Sequence, residues 1–99
     1  MNAIGLAQTE LELIQGVLKR YPAVTSAILF GSRAKGTATP SSDIDLALEG
    51  ITDALQAAAI ASELEELPLP YHFDVVALSN VNSAQLREHI ARVRVRIYG

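Results

Sequence analysis

Apolar residues recur along this chain with two periods, and the periods divide it into elements. Over Thr9 to Tyr21, Leu11, Ile14 and Leu18 return at spacings of three and four, one stripe of a helix. Thr9 and Glu12 have capping-box spacing, and Pro22 closes the segment. Gly16 inside it costs about 1 kcal/mol relative to alanine. Val24 to Phe30 is a short apolar, β-branched run, the pattern of a mostly buried strand. Gly31 to Ser42, rich in Gly, Ser, Thr and Pro, reads as a connection with one helical turn around Arg33–Gly36. In the second strand, Ile44 to Leu48, a period of two puts Ile44, Leu46 and Leu48 on one face and Asp43 and Asp45 on the other.

Gly50 ends that strand, and Thr52 stands where it can cap a helix over Asp53 to Leu67. Ala57, Ile60, Ala61, Leu64 and Leu67 form its apolar face. Glu63, Glu65 and Glu66 in its last turns oppose the helix dipole, and Pro68 and Pro70 break it. Phe73 to Leu78 predicts a third strand with Asp74 near its start. Ser79 to Ser83 supplies turn and cap chemistry before a short helix over Ala84 to Ala91 that carries Leu86 and Ile90. Val93, Val95 and Ile97 then alternate with Arg92, Arg94 and Arg96, which predicts an edge strand whose arginine face meets solvent or a partner. The order helix, strand, strand, helix, strand, helix, strand implies an α/β (α+β) fold: a small mixed β-sheet packed against helices, in a single domain over residues 1–99.

Composition narrows the classes. With 49% apolar and few aromatic residues, aliphatic side chains and alanine must do most of the packing. No cysteine is present, so disulfides and thiolate metal sites are excluded and any metal must be held by oxygen or imidazole. A domain without such staples fits a reducing cytoplasm. The N-terminus lacks the basic start of a signal peptide, and no apolar run approaches the ~18 residues of a spanning helix. A net charge of −3 argues against sequence-independent nucleic-acid binding, although Arg87, Arg92, Arg94 and Arg96 gather toward the C-terminal end.

The candidate chemistry lies between Gly31 and Leu46. A glycine lets backbone N–H groups approach phosphate, and the Ser32 hydroxyl adds a donor. Asp43 and Asp45 on one strand face sit close enough to share a divalent cation. Asp74, at the start of an otherwise apolar strand, is the natural third ligand. Three carboxylates suit two ions roughly 4 Å apart, the arrangement that stabilises both the attacking and the leaving oxygens in nucleotidyl transfer. Taken singly, an Asp-x-Asp at a strand start and a Gly-Ser turn are common features of ordinary strands. Arg33 and Lys35 read equally as charge for a triphosphate or as solvated surface. The chain has neither a G-x-x-x-x-G-K-[ST] phosphate loop nor a G-x-G-x-x-G fingerprint. His72 shares a strand face with Asp74 but reads as a strand-end histidine, His89 reads as solvated on the last helix, and Tyr71 and Tyr98 are candidates to stack on a base.

The joint pattern is specific. Gly31–Ser32, ten intervening residues and Asp43-Ile44-Asp45, flanked by strands and followed by Asp74 on a further strand, resemble the nucleotidyltransferase signature of the DNA polymerase beta superfamily. FGSRAKGTATPSSDIDLAL is similar in particular to the minimal nucleotidyltransferase (MNT) domains of bacteria and archaea, and the resemblance runs to the closing IYG. It implies the nucleotidyltransferase fold, with Gly31, Ser32 and Arg33 at the nucleotide phosphates and Asp43, Asp45 and Asp74 as the catalytic, Mg²⁺-binding carboxylates. Asp74 would also help to activate the attacking hydroxyl. Lys35 stands where arginine is frequent, a change that keeps the charge.

Members of this family are typically paired with a small helical HEPN ribonuclease toxin. The resemblance therefore implies an MntA-like antitoxin: a cytoplasmic, Mg²⁺-dependent adenylyltransferase that moves AMP from ATP to a tyrosine of its partner. Two other readings remain open at this level: a nucleotidyltransferase for a small molecule such as an aminoglycoside, and a binding module that blocks its partner sterically.

Overall fold

A computed structural model of the chain describes residues 6–31 and 43–99. The elements follow in the order α1 (Gln8–Leu18), β1 (Ser26–Phe30), β2 (Ile44–Glu49), α2 (Ala54–Glu65), β3 (Phe73–Ala77), a 3₁₀ turn (Leu78–Asn80), α3 (Ala84–Val93) and β4 (Val95–Tyr98). The strands form one mixed sheet in the order β3-β2-β1-β4. β1 runs antiparallel to β2 and β4, whereas β2 and β3 are parallel. A parallel pair needs a crossover between its strands, and α2 supplies it.

The pleat sends alternate residues to two faces. Leu29, Ile44, Leu46 and Leu48 turn toward α1 and α2, where they meet Ile14, Leu18, Ile60 and Leu64 in the main core. Ile28, Phe30 and Ala47 turn the other way, into a smaller cluster closed by Ile90 of α3 with Leu86 and Val76 beside it. The sheet is thus sandwiched unequally, with two helices on one face and one short helix on the other. That second face carries the candidate chemistry.

Local signals differ from expectation in three places. The cap of α2 is Asp53, whose Oδ1 accepts the Leu55 N–H at 2.8 Å, while the Thr52 carbonyl accepts a hydrogen bond from the Asn80 side chain at 2.7 Å. α1 begins at Gln8 with Ala7 as its cap residue, and it is Glu10, not Glu12, whose carboxylate accepts the N–H of that residue, at 3.0 Å. α3 continues to Val93, so Arg92 lies in its last turn, 3.7 Å from Glu88 one turn back, and β4 starts only at Val95. A cation in the last turn suits the helix dipole, which favours helix over strand at that position. The edge-strand reading holds for the remainder: Arg94 and Arg96 are exposed and Ile97 is buried. The expected helical turn around Arg33–Gly36 lies outside the described residues.

Three of the acids and bases brace these elements. Glu65, at the end of α2, accepts the Phe73 N–H at 3.1 Å and so fixes the start of β3. Glu63 pairs with Arg20 at 3.0 Å and hydrogen-bonds the Tyr21 hydroxyl. Arg87 donates to the carbonyls of Val81 and Leu78, tying α3 to the turn before it. Among the described residues no helix is long and apolar enough to cross a membrane.

Leu46 is fully buried at the centre of the main core. Leu46→Ala is expected to cost about 2–5 kcal/mol from lost transfer energy and residual cavity, read as a lowered urea midpoint.

Candidate active site

Register assembles the site. On β2, Asp45 pairs with Phe30 of β1 on one side and with Asp74 of β3 on the other. Because Ile44 and Leu46 point into the main core, Asp45 must point to the α3 face. Asp74, flanked by buried Phe73 and half-buried Val75 on the core side, does the same. Two carboxylates thereby stand on adjacent strands as direct neighbours, a pairing that is unfavourable for like charges. Asp43 lies just before β2 and is exposed.

The electrostatics register this crowding. The Asp45 carboxyl is held above the ordinary range for an aspartate, first by partial burial, then by the charges of Asp74 and Asp43, with His89 offsetting part of the effect.

Gly31 follows β1 directly and has φ +79°, a left-handed conformation suited to glycine. A methyl group on its Cα would collide with Oδ2 of Asp45, so the absence of a side chain is what lets the turn lie against that carboxylate. Its N–H donates to Nε2 of His89 at 3.3 Å. The His89 ring stands edge-on to Phe30, with centroids 6.3 Å apart and planes at 80°.

His89 is therefore half-buried at the site and not a solvated surface residue. The physical reason is its place on α3. Leu86 and Ile90 seat the helix on the sheet, and His89 lies three residues after one and beside the other, on the flank of the apolar stripe that faces the end of β1. That helical spacing was the available signal in the sequence.

The other candidates separate. His72 is almost wholly exposed and sits 3.4 Å from Glu65. The Tyr71 hydroxyl donates to the Glu10 carboxylate on α1, and both Tyr71 and Tyr98 pack against the main core, away from the carboxylates. Ser32, Arg33 and Lys35 lie outside the described residues. A cavity of about 320 Å³ opens farther along β3 between α2 and α3; its walls are mainly apolar and include Val75, Val76 and Leu86 but none of the three aspartates.

Among the described residues no three His, Asp or Glu side chains converge as a ready-made metal cage. The donor chemistry nonetheless suits Mg²⁺, which takes one or two carboxylates and fills its shell with waters and substrate phosphates. Mutual repulsion around Asp45 is the field that a divalent cation would relieve.

Residues 12–99 match the family described as polymerase beta, nucleotidyltransferase. Solved structures of similar fold include the toxin–antitoxin MntA–HepT (21% identity, TM-score 0.71, 94% of this chain and 73% of that one). A second is a tri-AMPylated Shewanella oneidensis HEPN toxin in complex with MNT antitoxin (22%, 0.71, 93% and 71%). A third is a toxin–antitoxin with AMP-PNP (22%, 0.71, 95% and 74%). At these identities the likeness establishes the fold. Among curated proteins no sequence match is found.

Since the Asp45 pKa is raised on folding, its contribution to stability is present below the unfolded carboxylate pKa and lost as pH rises through the folded one. At neutral pH without divalent cations, Asp45→Asn is therefore expected to melt above the wild type. The gap should close as pH falls below the usual carboxylate range, and a pH series of thermal melts checks both.

Proposed function

The chain belongs to the polymerase beta nucleotidyltransferase family, and from that premise we propose that it is a Mg²⁺- and ATP-dependent protein adenylyltransferase. In this reading it moves AMP from ATP to a tyrosine hydroxyl of a HEPN-type helical toxin and so acts as an antitoxin. The observation that carries the reading is the register that seats Asp45 between Asp74 and the Gly31 turn on one face of the sheet. Support for the partner comes from the solved complex of an MNT antitoxin with a tri-AMPylated HEPN toxin, and support for an adenine nucleotide from the toxin–antitoxin with AMP-PNP.

In the proposed site, Asp43, Asp45 and Asp74 would be the carboxylates that hold Mg²⁺, with waters and substrate phosphates completing its shell, and the ion would supply charge stabilisation at the attacking and leaving oxygens. Gly31 and Ser32 bind the β- and γ-phosphates, Gly31 through the close approach that its bare Cα allows and Ser32 through its donors, with Arg33 adding positive charge toward the triphosphate. Asp74 accepts the proton of the tyrosine hydroxyl as its oxygen bonds to the α-phosphorus. The bond from that phosphorus to the bridging oxygen breaks, and pyrophosphate leaves. Asp74 is exposed at the start of the edge strand β3, a position that an acceptor presented by another protein can reach. A cytoplasmic setting fits a cysteine-free chain that consumes ATP.

Incubation of the protein with a HEPN partner, ATP and Mg²⁺ is expected to add the mass of AMP to the partner, and Asp43→Asn/Asp45→Asn should abolish the gain. Intact-mass spectrometry reads the result. Neutralisation of the toxin by the double variant with no mass gain would replace the enzyme reading with steric blocking. An unmodified partner alongside nucleotidylated small molecules would move the acceptor to a metabolite.

A further inference from the structure

We infer that His89 is the positioning residue of the phosphate turn: its Nε2 holds the Gly31 peptide in the orientation that sets the turn against Asp45. The inference rests on the nucleotide reading above and adds to it a residue from α3, an element that the motif does not contain.

β1 ends at Phe30, and its last ladder pairs are Phe30 with Asp45 and Leu29 with Val95. The next N–H, that of Gly31, is past the ladder on both sides and needs another acceptor where the chain is half-buried. His89 Nε2 provides it at 3.3 Å. The ring is itself fixed, edge-on to Phe30 and one residue before Ile90, which is buried in the small core. The Phe30–Gly31 peptide is therefore clamped between α3 and the Asp45 carboxylate, which the bare Cα of Gly31 touches closely enough to exclude a methyl group. Gly31 left to itself has the widest conformational freedom of any residue, so an external anchor has most to restrain here. The clamp holds the Gly31 peptide pre-organised beside Asp45, where the nucleotide reading puts the phosphates, and the gain should appear in nucleotide affinity.

The test compares His89→Leu, which removes the acceptor, with His89→Gln, whose side-chain oxygen can take the same N–H. Should His89→Leu melt well below the wild type, His89→Phe removes the acceptor while keeping an aromatic edge on Phe30. Two measurements are made on each: hydrogen exchange at the Gly31 amide by ¹⁵N-edited NMR without nucleotide, and affinity for Mg·ATP by calorimetry.

The expected result is faster Gly31 exchange and a roughly three- to ten-fold weaker affinity in the acceptor-less variants, the loss of one modest hydrogen bond. His89→Gln should stay within about two-fold of the wild type, since the bond is of that modest class. Unchanged affinity in the acceptor-less variants overturns the inference. So does a His89→Gln protein impaired as much as His89→Leu at equal melting temperature, which would reduce His89 to packing. A wild type that does not bind Mg·ATP overturns the nucleotide reading, and the Gly31 exchange, measured without nucleotide, separates that failure from a failure of His89 itself.

Discussion

The register of the three central strands is the constraint on which the rest depends. A one-residue slip of β2 would exchange the faces of all its side chains, carrying Ile44, Leu46 and Leu48 out of the main core and Asp45 into it. Burying three aliphatic side chains thus determines where one carboxylate points. The same logic on β3, where Phe73 and Ala77 are buried on the α1–α2 side, turns Asp74 to the α3 side. Hydrophobic burial, which has no interest in aspartates, is what brings Asp45 and Asp74 together against their mutual repulsion.

That arrangement leaves a local cost in the metal-free protein, visible as the raised pKa of Asp45, and the surroundings are built to sustain it. The side of the sheet that bears the charges is covered only partly, by one helix of ten residues, so Asp43 and Asp74 keep contact with water. The opposite face, covered by α1 and α2, holds most of the buried aliphatic residues. Stability and chemistry are thereby divided between the two faces of one four-stranded sheet. The acids at the end of α2, unfavourable to its dipole, have a use in this division: Glu65 secures the first N–H of β3 beside Asp74, and Glu63 ties α2 to Arg20 and Tyr21 just beyond α1.

Gly31 and His89 show how two distant segments complete one another. The glycine contributes an absence, room for the turn beside Asp45, while the histidine contributes an acceptor for a backbone donor that the sheet leaves unpaired. Neither residue is informative alone. Together they connect the sheet, the turn and α3 at the one place where the carboxylates gather.

By itself the sequence indicated the four strands and three helices and the two faces of β2, because alternation in β2 and helical spacing in α1 to α3 are local consequences of the period of each structure. It also marked the candidate carboxylates, Asp43 and Asp45 by alternation at the start of β2 and Asp74 by its place in an otherwise apolar strand. Element ends were less legible. Thr52 and Asp53 are both good caps, and it is the Asp53 side chain that accepts the Leu55 N–H. The alternating arginines suited a strand from Arg92, yet α3 held that residue. What the tertiary structure alone decided was adjacency: that Asp74 is the neighbour of Asp45 across a parallel pair, and that His89, fifty-eight residues from Gly31, takes its N–H. Both depend on how strands pair and where α3 settles, and contacts at that separation leave no period in a sequence to be read.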